Sequence, residues 1–148
     1  MRAILQRVKS AEVWIDEKPC AKIATGLLAL VGIAADDTEK DVLWMAKKIV
    51  HLRVFEDDTK VMNRSLLDIE GSLLLVSQFT LMGDCRKGRR PSWSAAMASG
   101  QAKPLFLQLV QVCQRYDIQC ATGQFQASMD VQLVNSGPVT LILDSRTA

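Results

Sequence analysis

Two short segments bring small polar groups to the end of an apolar run, where a chain leaving a sheet meets a ligand. Ser77-Gln78-Phe79-Thr80-Leu81 follows Leu73-Leu74-Leu75-Val76, and Asn135-Ser136-Gly137-Pro138-Val139-Thr140 follows Val131-Gln132-Leu133-Val134. The first offers two hydroxyls, a carboxamide and the backbone N–H groups of Phe79 and Thr80. A threonine hydroxyl is a poor nucleophile unless an adjacent base takes its proton. No such base is evident: the one histidine, His51, lies in a helical stretch, no Gly-x-Ser-x-Gly elbow occurs, and Thr80 is internal, without a terminal amine of its own. The better use of this motif is positioning, with Ser77 and Gln78 orienting a substrate and the N–H groups of Phe79 and Thr80 facing a developing oxyanion. A general acyl hydrolase working through Thr80 stays open as an alternative. In the second segment glycine lets the backbone approach a ligand closely, while proline removes a donor and permits a cis bond at modest cost.

Taken together, in this order and about 55 residues apart, the two segments closely resemble the signature motifs of the D-aminoacyl-tRNA deacylases. The resemblance runs from Met1-Arg2-Ala3-Ile4-Leu5-Gln6-Arg7-Val8 through Met62-Asn63-Arg64-Ser65-Leu66 and Arg90-Pro91-Ser92 to Thr122-Gly123-Gln124-Phe125. It implies an α/β fold with layers β/β/α, hydrolysis of the ester that joins a D-amino acid to tRNA, and clearance of mischarged glycine. It further implies a homodimer in which Gly137-Pro138, cis in the family, enters the partner's active site and rejects L-amino acids by backbone collision. Phe125 and Met129 are then expected near the terminal adenosine. The chain departs from the family pattern at Gln126 and Glu70, where glycine is common, at Trp93, where phenylalanine is usual, and at Ser136, where aspartate is common. A non-catalytic nucleic-acid-binding protein on the same scaffold is the competing reading.

Composition frames these expectations. With 148 residues the chain suits a single domain, 1–148, able to bury roughly two-thirds of its unfolded surface. Hydrophobic residues make up 49% and charged residues 23%, and no apolar stretch reaches the ~20 residues of a membrane span. The start, Met1-Arg2-Ala3, lacks a signal-peptide core. Cys20, Cys85, Cys113 and Cys120 are scattered without a Cys-x-x-Cys pair, which reads as free thiols of a cytosolic protein with neither bound metal nor cofactor. A net charge of +2 is too small for a general nucleic-acid binder. The basic character is local: Arg86, Lys87, Arg89 and Arg90 flank Gly88 directly after the first motif, and are candidates for tRNA phosphate contacts.

Residues 2–8 and 11–16 read as strands, and Leu27 to Val31 as a strand covered on both faces. Thr38 and Asp41 form a variant capping box for a helix whose buried face is Val42, Met45, Ala46, Ile49 and Val50, with Trp44 off that stripe. A second helix is expected from Gly100 to Tyr116, with Pro104 near its first turn. Further strands are expected at 73–76, 118–121, 129–134 and 139–143. This order predicts one mixed domain with two main helices on one side of the sheets.

Overall fold

From Arg2 to Arg7 and again from Ser10 to Val13 buried residues alternate with partly exposed ones, the period-two pattern of a strand. The phase breaks at Arg7–Val8: Ala3 and Leu5 belong to one core and Val8, Ala11 and Val13 to another. The computed structural model describes residues 1–147. In chain order its elements are β1 (Arg2–Ile15), β2 (Lys18–Ile23), β3 (Gly26–Gly32), α1 (Glu39–His51), β4 (Phe55–Glu56), β5 (Met62–Arg64), β6 (Ser72–Ser77), α2 (Ser99–Gln114), β7 (Gln119–Thr122) and β8 (Asp130–Asp144). The main sheet runs β2-β1-β3-β6-β7, with β8 pairing β1 along its other edge. β1 is antiparallel to β2, β3 and β8, whereas β6 is parallel to both β3 and β7.

Two apolar layers account for the continuous Leu73 to Val76 run. Leu73 and Leu75 join Leu5, Leu27 and Ala29 against Val42, Met45 and Ile49 of α1 and Phe106 and Leu109 of α2. Leu74 and Val76, pointing the other way, join Val8, Val13, Ile23 and Leu28. A strand buried on both faces has no polar face to alternate, and the result is the mixed α/β arrangement expected from the sequence.

The structure corrects several boundaries. The two strands expected at 2–8 and 11–16 are one, and so are those at 129–134 and 139–143, because breaks in pairing register do not break the chain. β2 and the β4–β5 hairpin were not foreseen. α1 begins with the expected box, Thr38 N donating to Asp41 Oδ2 at 2.8 Å. α2 starts a residue early and ends at Gln114, after which Tyr116 N donates to Cys113 O in a tighter turn. Pro104 therefore lies in the second turn, where it removes the bond to the carbonyl of exposed Gly100. His51 closes α1 with Nδ1 2.9 Å from Lys47 O and its ring edge-on to Tyr116. Trp44 is half-buried beside the core, with Lys48 Nζ 5.6 Å from its ring centroid. Among the described residues no helix is long and apolar enough to cross a membrane.

Candidate active site

β6, an interior strand, delivers Ser77 at its carboxyl end, where the apolar layer ends and the chain tightens into a single 3-10 turn over Phe79–Met82. Gln78 N is fixed by Val31 O of β3 at 2.7 Å, which sets where that turn begins. The turn's first internal bond is Leu81 N to Gln78 O at 3.2 Å. The N–H groups of Phe79 and Thr80 therefore precede the turn's bonding pattern, and among the described residues no backbone carbonyl outside the turn accepts from either. The Gln78 amide Nε2 donates to Thr80 Oγ1 in a short contact. This hydrogen bond gives the Thr80 hydroxyl a neutral amide partner, and an amide cannot take up its proton as a base does.

Beside the turn lies a cavity of about 560 Å³ walled by Ser77, Gln78 and Phe79 on one side and Phe125, Gln126 and Met129 on another. Met97, Ser99 and Ala102, at and before the start of α2, complete it. Six of the residues singled out from the sequence thus share one concave, mostly apolar site with a few polar groups, the usual character of a small-ligand pocket. Phe125 does not stand free in it: its ring tilts against Phe106 at 5.8 Å, so one face serves the core. Gln126 adopts φ +67, a backbone conformation that glycine enters without penalty.

Gly137 and Pro138 do not line this cavity; both are exposed on β8. β8 pairs Val8 through Asn135 and Gln6 through Thr140, so that four residues, Ser136 to Val139, stand opposite the single residue Arg7. The surplus length bulges outward. Its base is tied by Asn135 Nδ2 to Thr140 Oγ1 at 2.9 Å and by Val139 N to Asn135 Oδ1 at 3.3 Å. Arg7 staples it from beneath, Nε donating to Ser136 O at 3.1 Å and Nη1 to Val54 O at 2.6 Å. Gly137 has φ +108, and a Cβ there would lie 2.2 Å from Arg7 Nη2. The peptide bonds of the described residues are all trans, including Gly137–Pro138, in contrast to the cis bond implied by the resemblance. Within one chain the trans form of an X–Pro bond is intrinsically favoured by about 0.5–1 kcal/mol.

The basic loop separates into two parts. Arg86 forms a bidentate pair with Asp84, at 2.9 and 2.7 Å, which holds the Asp84 carboxyl well below the usual carboxylate range. With Arg2 and Arg146 it borders a second hollow of about 520 Å³. Lys87, Arg89 and Arg90 are exposed. The thiols stand apart from the chemistry: burial, with a smaller contribution from Cys120, pushes Cys113 up to about 12, while Cys20 and Cys85 are exposed.

Arg7 was missed from the sequence. A lone arginine on a strand reads as a solvated side chain, and only the pairing of β1 with β8 shows the guanidinium buried beneath the bulge.

A family model described as D-Tyr-tRNA(Tyr) deacylase matches residues 4–144. The chain belongs to this deacylase family. A D-aminoacyl-tRNA deacylase of Thermosipho africanus is 53% identical over 146 residues, 99% of this chain and 98% of its own. One from Desulfotalea psychrophila is 52% identical over 145 residues, covering 98% and 97%. Among solved structures, a c-Myc DNA unwinding element binding protein superposes with TM-score 0.92 at 36% identity, covering 98% of this chain and 99% of its own. A probable eukaryotic D-amino acid tRNA deacylase, at TM-score 0.83 and 16% identity over 96% and 97%, shares the fold.

Proposed function

We propose that this deacylase hydrolyses the ester of D-aminoacyl-tRNA by positioning its substrate, without a covalent intermediate, and that it excludes L-aminoacyl groups by backbone collision in a homodimer. The observation that carries the mechanism is the pair of N–H groups at Phe79, which lines the cavity, and at Thr80, the next residue along the chain, both left outside the turn's bonding pattern. The aminoacyl ester is already activated and has a ribose hydroxyl beside it. A water adding to its carbonyl carbon places negative charge on the carbonyl oxygen, where two fixed donors stabilise it without reorganisation. Collapse of that intermediate breaks the bond to the ribose oxygen, which takes a proton and leaves as the tRNA 3′ end. Ser77 and Gln78 orient the ester, and Phe125 and Met129 border the adenosine. Lys87, Arg89 and Arg90 meet phosphates of the acceptor arm in a cytoplasmic enzyme, while Arg86, expected among them, is held by Asp84 and shapes the loop.

The exposed Gly137–Pro138 bulge, absent from the cavity of its own chain, suits insertion into a partner's cavity. Exposed Val134, Leu141 and Ile142 on the same strand offer that partner an apolar surface. A rigid backbone reads chirality at Cα and not the side chain, so breadth over D-amino acids follows and glycine is admitted.

The test is hydrolysis of D-, L- and glycyl-tRNA charged on the same tRNA. Turnover of the D- and glycyl forms with the L form spared is the expected outcome; equal turnover of D and L removes the chiral reading. The similarity to a DNA unwinding element binding protein favours a second reading, nucleic-acid binding on the same scaffold. Retention of tRNA without hydrolysis of any of the three esters would select it.

A further inference from the structure

At the rim of the cavity, Phe79 of its wall and Trp93 beyond it form an exposed aromatic pair whose role the hydrolytic chemistry leaves unassigned. Their ring centroids are 5.5 Å apart at 71°, and the residues are 58% and 41% exposed. Neither ring is loose. Phe79 sits in the 3-10 turn and lines the cavity with its inner side. Trp93 lies so close over Gly83 that a Cβ there would come within 2.5 Å of its Cζ3, and Gly83 N is held by Thr80 O at 3.0 Å. The pair is therefore a preordered shelf running outward from the lip of the cavity. Its flank is basic: Asp84 and Ser92 exchange backbone bonds at 2.8 and 2.9 Å, closing the loop that carries Lys87, Arg89 and Arg90 directly beside Trp93.

Exposed aromatic rings next to unpaired cations suit single-stranded nucleic acid, whose bases stack while its phosphates meet the charges. The second hollow is a weaker candidate for phosphate, because Arg2, Arg86 and Arg146 are already paired with Asp144, Asp84 and Asp36. We propose that the Phe79–Trp93 shelf stacks the nucleobase immediately 5′ of the terminal adenosine of the tRNA acceptor strand. This rests on the cavity taking that adenosine with its aminoacyl ester: a strand leaving the cavity past Phe79 reaches the shelf next.

The experiment compares three D-tyrosyl esters, of adenosine, of cytidylyl-adenosine and of full tRNA, on wild type, Trp93→Ala and Trp93→Phe. For Trp93→Ala, KM is expected to rise about tenfold for the dinucleotide and tRNA esters, the scale of one lost base stack, with kcat and the adenosine ester little changed. Trp93→Phe should recover most of that loss. A uniform change across the three esters, or no change in any, overturns the proposal. Binding gives a readout independent of hydrolysis: unacylated CpCpA should quench the fluorescence that distinguishes wild type from Trp93→Phe, and adenosine should not. Quenching by CpCpA in a protein that hydrolyses none of the esters would sink the deacylase mechanism and leave the shelf standing; absence of quenching in an active enzyme would do the reverse. If Trp93→Ala instead converts a sedimenting dimer to monomer, the ring pair is a subunit contact and the stacking role falls.

Discussion

Thr80 separates two chemistries that depend on different atoms of one residue. Its hydroxyl accepts a hydrogen bond from Gln78 Nε2, whereas its N–H stands outside the turn's bonding pattern. Thr80→Ala keeps the N–H and should retain kcat within about tenfold, the loss reflecting a less ordered Gln78 amide. Thr80→Pro removes the donor and should lose at least about a hundredfold, the effect of deleting one oxyanion donor. Single-turnover hydrolysis of D-aminoacyl-tRNA, with folding checked by circular dichroism, distinguishes them, and a folded but inactive Thr80→Ala enzyme would restore the nucleophile.

The elements were legible wherever one physical signal dominated. The capping box at Thr38 and Asp41 and the period of Val42 to Val50 marked α1, and the continuous apolar run marked β6. β2 escaped because only Ile23 in Lys18-Pro19-Cys20-Ala21-Lys22-Ile23 is buried, and because Asp16 and Glu17 make the preceding turn with φ of 49° and 62° without glycine or asparagine. The cavity was half legible: its β6 and Phe125 walls carry motifs, but Met97, Ser99 and Ala102 join it only through the docking of α2, which leaves no local mark. Two sequence departures acquire a physical meaning in the loops. Glu70 and Gln126, both at positions where the resemblance leads one to expect glycine, have φ of +50° and +67°. Relief of left-handed strain is about 1–2 kcal/mol, against about 0.4–1 kcal/mol for the freer unfolded chain that glycine brings. Glu70→Gly and Gln126→Gly should therefore each raise stability by about 0.5 kcal/mol in urea denaturation. Only Gln126→Gly, which alters the cavity wall, should also change KM; a stability loss in both would show that other contacts dominate at these turns.

At the scale of the whole molecule, the cavity and the Gly137–Pro138 bulge occupy different places on one chain, and the proposed mechanism brings them together through a two-fold assembly. Mixed dimers of one Gln78→Ala protomer and one Gly137→Ala protomer, purified through two different tags, should keep about half of wild-type activity. In such dimers one site carries both defects and the other none. Activity near zero would mean that each chain completes its own site. The staple beneath the bulge has a further consequence, for the order in which the chain is made. Arg7 emerges early in synthesis, yet one carbonyl it needs, that of Ser136, is 129 residues downstream. Until β8 docks, its guanidinium lacks one of the partners it has in the folded chain, so the first strand gains its full set of bonds only after the last has been synthesised. A sheet closed by its most distant strands folds slowly, and a release that comes before β8 leaves β1 with an open edge. Translational stalling within β8 should thus be more damaging than stalling between the helices.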